Sequence, residues 1–105
     1  MITIQINKEN NIIQQIKLSG HAGFQDYGKD IVCAGVSSIL TTTVNAILSF
    51  DENAITIADK QDFKLKVNKS DEITQKLLAN MISLFQELEE SYPKNVKIKE
   101  DNKHV

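Results

Sequence analysis

Ile2, Ile4 and Ile6 alternate with Thr3, Gln5 and Asn7, the period-two pattern of a strand with one dry face. The polar cluster Lys8-Glu9-Asn10-Asn11 turns the chain, and a second strand follows through Ile12, Ile16 and Leu18. Beyond the segment Gly20–Gly28 the period changes. From Ile31 to about Ser49, the residues Val32, Val36, Ile39, Leu40, Val44, Ile47 and Leu48 recur three and four apart and predict a helix. The run Thr41–Thr43 works against it, because β-branched side chains lose rotamer freedom in helices. Alternating runs at Ala54–Ala58 and Phe63–Val67 flank the turn Asp59-Lys60-Gln61-Asp62 and predict a second hairpin. Ser70 is placed to cap a second helix, with Asp71 and Glu72 in its first turn against the dipole. Its stripe is Ile73, Leu77, Met81, Leu84 and Leu88, flanked by Leu78, Phe85 and Tyr92, and Pro93 stops it. Val96 and Ile98 predict a last strand with Lys97 and Lys99 on its wet face.

The order ββαββαβ predicts an α+β fold: two layers, a mostly antiparallel sheet with two helices on one face. At 105 residues, without internal repeats, the chain is expected to form a single domain over 1–105. Composition adds exclusions. A net charge of −2, with lysines scattered along the sequence, predicts no direct nucleic-acid partner. The run Ile31–Phe50 carries no charge but holds seven polar residues, so a buried or interfacial helix is expected, not a membrane span. One cysteine permits no internal disulfide and suits a reducing compartment, and the N-terminus lacks the pattern of a signal peptide. A cytoplasmic protein is expected.

The chemistry concentrates in one window. All four glycines, at positions 20, 23, 28 and 35, fall there with Cys33 and His21. If Asp30 is the N-cap, Cys33 occupies the first turn of the helix, beside free N–H groups and the positive end of the dipole. Both favour a thiolate, and the same N–H groups could hold a developing oxyanion. His21 closes the second strand just after Gly20, and the loop from that strand to the helix can bring it to the thiol. A Cys–His pair needs only that reach for nucleophilic catalysis. Against this stands a bland reading, in which Cys33 is a small buried hydrophobe. Cys33, His21 and Asp26 or Asp30 do not show zinc-site spacing, so no metal is expected, and His104 is read as part of a solvated, charged tail.

The string Gly20-His21-Ala22, then Gly28, then Asp30-Ile31-Val32-Cys33-Ala34, then Val36-Ser37 resembles the signature of the bacterial ribosomal-processing cysteine protease (Prp) family. The resemblance covers the whole chain and shows no departure from the pattern. It implies a homodimeric, cofactor-free endopeptidase that removes an N-terminal extension from the large-subunit ribosomal protein numbered twenty-seven, cutting after an aromatic residue. It implies His21 and Cys33 as the catalytic dyad, with Gly20, Asp30 and Ser37 at the remaining motif positions.

For Asp30 two roles stand open: capping the helix, or bonding to His21 or to substrate. Ser37, one turn after Cys33, either lines the cleft or bonds back to the Cys33 carbonyl. Gly23–Lys29 is expected to form a mobile flap, with Phe24 or Tyr27 covering the aromatic side chain of the peptide. The competing class is a non-catalytic ribosome-assembly factor that binds the same protein or rRNA. A redox sensor would lack a resolving cysteine within the chain.

Overall fold

The computed structural model describes residues 1–20 and 27–105, with backbone alone for 27–30. Its elements run β1 (Ile2–Glu9), β2 (Ile12–Ser19), α1 (Tyr27–Phe50), β3 (Ile55–Asp59), β4 (Phe63–Val67), α2 (Glu72–Ser91) and β5 (Val96–Lys103). The order is the expected ββαββαβ. The strands form one sheet in the order β3-β4-β2-β1-β5. Pairing is antiparallel except between β1 and β5, which run parallel, so the sheet is mixed.

The first hairpin closes on Asn10 and Asn11, both at positive φ (50° and 67°), the left-handed conformation that a two-residue loop demands and asparagine tolerates. The double isoleucine after it is resolved by a bulge. Asn7 pairs with Gln15 and Lys8 with Ile13, so Gln14 is the extra residue. That shift places Ile13 on the same dry face as Ile16 and Leu18 and leaves Ile12 exposed. β5 is longer than its two apolar residues suggest. It follows β1 through eight register pairs, and the Lys103 carbonyl accepts the Asn10 N–H at 2.7 Å. Residues 100–103, beyond the apolar pair Val96 and Ile98, are therefore strand.

Ile2, Ile4, Ile6, Ile16, Leu65 and Val96 give the sheet its dry face, and Val32, Val36 and Ile47 of α1 with Leu78, Met81 and Phe85 of α2 complete the core. Ile31–Phe50 is long and apolar enough to cross a membrane, with a mean hydropathy of 1.8. Here only one side of it is buried in the core. Thr43 is buried with Val32, Val36 and Ile47, while Ser37, Ser38, Thr41, Thr42 and Asn45 face outward. The threonines do not interrupt it.

Two details of α2 differ from expectation. Its N-cap is Asp71, not Ser70: the Asp71 carboxylate accepts the Thr74 N–H at 2.8 Å. A carboxylate both fills the cap and meets the dipole, which a serine hydroxyl cannot do. The buried row is Thr74, Leu78, Met81, Ile82 and Phe85, and Ile73 is exposed. Leu77, Leu84 and Leu88 are half-buried, because α2 shares its apolar arc between the sheet and α1. A Cβ on Gly35 of α1 would lie 3.6 Å from Leu88.

Candidate active site

Pairing in the sheet decides what surrounds the end of β2. Leu18 lies opposite Phe63 on β4, so the β3–β4 turn stands beside Ser19 and Gly20. Gly20 has φ of +86°, and a Cβ there would run into the Met1 carbonyl oxygen. Glycine is therefore required twice over, by conformation and by space. Above this corner, α1 presents Cys33, Val36, Ser37 and Leu40, which share one stripe by their three- and four-residue spacing.

These parts enclose a cleft of about 260 Å³. Its apolar wall is Ile2, Leu18, Val36, Leu40 and Phe63, and Asp59, Gln61 and Asp62 of the β3–β4 turn form its polar side. Lys17 lies 3.5 Å from the Asp62 carboxylate. Cys33 carries a free thiol, is half-buried, and lines this cleft with Gly20 and Ser37. Cys33 thus both packs against the core and opens on the cleft.

The expectation that Asp30 caps the helix is corrected. α1 begins at Tyr27, so Asp30 is its fourth residue and Cys33 its seventh. The open N–H groups of a helix belong to its first four residues, and the dipole effect fades within the first turn. Cys33 is one turn too far in to use either. The error has a physical origin: aspartate is favoured both at the N-cap and throughout the first turn, so its presence marks a helix start only to within a turn. Tyr27, Gly28 and Lys29, expected in the flap, have helical backbone.

Of the predicted site residues, Gly20, Cys33 and Ser37 meet in one cleft, and of the two roles open to Ser37 its place on the wall is observed. His21, Phe24 and the rest of Gly23–Asp26, and the side chains of Tyr27 and Asp30, lie outside the described residues. Sequence reasoning missed Leu40, Asp59, Gln61, Asp62 and Phe63. Leu40 follows Cys33 by two helical turns, whereas Asp59, Gln61, Asp62 and Phe63 reach the cleft only through the β2–β4 pairing, and no local pattern in the sequence fixes strand order.

A family model described as cysteine protease Prp matches residues 1–97. A Staphylococcus aureus protein named ribosomal processing cysteine protease Prp is 34% identical over 104 residues, covering 93% of this chain and 97% of that relative. The fold is similar to crystal structures of the S. aureus protease. One, with a covalently linked product peptide, has a TM-score of 0.88 at 29% identity and covers 96% of this chain and 100% of that one. Another, with a substrate peptide, gives 0.87 at 28% identity with the same coverage.

Proposed function

The chain belongs to the Prp family of cysteine proteases, and we propose that it is a site-specific endopeptidase with Cys33 as nucleophile and His21 as base. One observation carries this reading: the only cysteine of the chain lines the described cleft. A cysteine protease has no other thiol here to use. His21 is the residue after Gly20, itself on the cleft wall, which supports its pairing with Cys33.

In this mechanism the imidazole takes the thiol proton and the sulfur attacks the scissile carbonyl carbon. The tetrahedral intermediate collapses to a thioester, and the same imidazole gives its proton to the leaving amine. Water, deprotonated by the imidazole, then cleaves the thioester and regenerates the thiol.

The proposed substrate is the extended precursor of the bacterial large-subunit ribosomal protein numbered twenty-seven, cut after an aromatic residue. Support comes from the S. aureus relative, named for ribosomal processing and crystallised with a substrate peptide. The apolar wall of Leu18, Val36, Leu40 and Phe63 suits an aromatic side chain. The proposal includes a homodimer in the cytoplasm, where a lone thiol stays reduced. Ile31 and Phe50, 44% and 69% exposed, offer α1 as part of the interface. Light scattering should give twice the 11.8 kDa of the chain; the monomer mass would overturn the dimer.

The deciding experiment incubates the parent, Cys33→Ala and His21→Ala with the precursor and reads the mass shift of the product. Both variants should fold and fail to cut. Cleavage by Cys33→Ala near the parent rate would overturn the nucleophile, and by His21→Ala the base.

A further inference from the structure

The lysines that look scattered along the sequence are gathered by the pleat of the sheet. Lys64 lies beside Lys17, Lys17 beside Gln5, and Gln5 beside Lys99, in one row across four strands. Lys66 and Lys97 stand two residues along from the ends of that row and so project from the same face. This is the face opposite the helices, since the dry face is taken by Ile4, Ile6 and Leu65. Five of the chain's twelve lysines thus share one open surface in a protein of net charge −2.

Strand spacing puts Lys64 and Lys99 about 14 Å apart. Of the five, only Lys17 pairs with a carboxylate among the described residues, that of Asp62. Asp62 is thus the acid at the patch, Asp101 borders it beside Asn7, two residues from Lys99 on the same face, and beyond it Glu9 and Lys103 make the hairpin end mixed. Gln15, Thr3 and Thr56 add neutral polar groups between the charges.

We infer that this sheet face docks RNA through its phosphate backbone. The charges spread both across four strands and along them, which matches a folded polyanion better than a single extended acidic peptide. Lysines interleaved with amides and hydroxyls are the groups that contact phosphate and sugar without reading bases. The choice of RNA over DNA rests on the ribosomal-processing reading; the basic face itself does not.

The test keeps binding and cleavage apart. Anisotropy of a fluorescein-labelled RNA hairpin is titrated with the full chain over a range of salt, and cleavage of free precursor is assayed separately. With about four phosphates neutralised, affinity should fall about a hundredfold between roughly 50 and 200 mM salt. Replacing Lys64, Lys66, Lys97 and Lys99 together by Gln should abolish most of that salt dependence, and replacement by Arg should restore it. Cleavage should be unchanged in both. RNA binding that the Gln variant retains, or that the parent lacks at low salt, overturns the inference. So does poly-glutamate binding as tightly as RNA, which would assign the face to an acidic protein. Lost cleavage with intact RNA binding would instead count against the protease reading.

Discussion

Gln75 of α2 bonds both backbone groups of Ile13: its side-chain oxygen accepts the Ile13 N–H and its amide nitrogen donates to the Ile13 carbonyl, each at 2.9 Å. β4 pairs with β2 only as far as Gln15, so on its β4 side Ile13 has no strand beside it among the described residues. Gln75 stands in for that strand, next to the bulge that sets the phase of β2. Removing it leaves two half-buried polar groups without partners.

Gln75→Ala should therefore cost about 1–3 kcal/mol, read as a lower urea midpoint. Cleavage of precursor should hold at the parent rate where the variant remains folded, since Gln75 lies outside the cleft. A midpoint equal to the parent would show that water replaces the glutamine fully.

Gly20 and Gly35, at the two ends of the motif window, should respond in opposite senses. At Gly20 an alanine meets both a left-handed φ and the Met1 carbonyl, so Gly20→Ala should lose about 1–3 kcal/mol and displace the cleft corner. At Gly35 a Cβ meets Leu88 at an ordinary contact distance, 3.6 Å. Gly35→Ala should gain about 0.5–1 kcal/mol from helix propensity. Thermal melts of both variants check the pair of signs.

Asp51, where α1 turns into β3, accepts from Lys69 Nζ and from the Asn53 N–H, both at 2.9 Å. First the Lys69 bond and then the backbone bond hold its carboxyl below its ordinary value of 3.8. A carboxylate depressed in the folded state contributes stability above its unfolded pKa and loses it as pH falls through the folded one. The window thus opens near pH 3.8 and extends below it. Asp51→Asn should flatten the acid limb of the stability curve there, and an unchanged limb between the two proteins would show that the pair contributes nothing.

Much of the fold was legible because it is written locally. The Ile2-Ile4-Ile6 alternation, the Asn10-Asn11 turn and the Pro93 stop each act over a few residues, and each element they imply is present. What failed was phase and neighbourhood. The bulge at Gln14 cannot be read from two adjacent isoleucines, the cap falls on Asp71 because serine and aspartate compete for adjacent positions, and α1 starts a turn early because Asp30 suits several places. The cleft was half legible. The sequence placed Gly20, Cys33 and Ser37 in one window, but Phe63 and the Asp59–Asp62 turn arrive from a strand whose place in the sheet is set by the whole core.

Leu40 gives the sharpest test of how the cleft reads its substrate. It lies seven residues after Cys33 on α1, two turns along the same stripe, and is half-buried on the cleft wall. Truncating it should cost little stability, because part of the side chain already meets water. If the apolar wall holds the aromatic residue before the scissile bond, Leu40→Ala removes contacts with that ring, and kcat/KM should fall about ten- to two-hundredfold. A fall alone could come from a displaced helix, so a second substrate separates the causes. A precursor with alanine in place of the aromatic residue has no ring for Leu40 to touch. In a double-mutant cycle the enzyme substitution should then cost much less with that substrate than with the natural one. Equal losses with both would mean that Leu40 supports the cleft without contacting the ring, and the aromatic side chain would have to be sought against another wall.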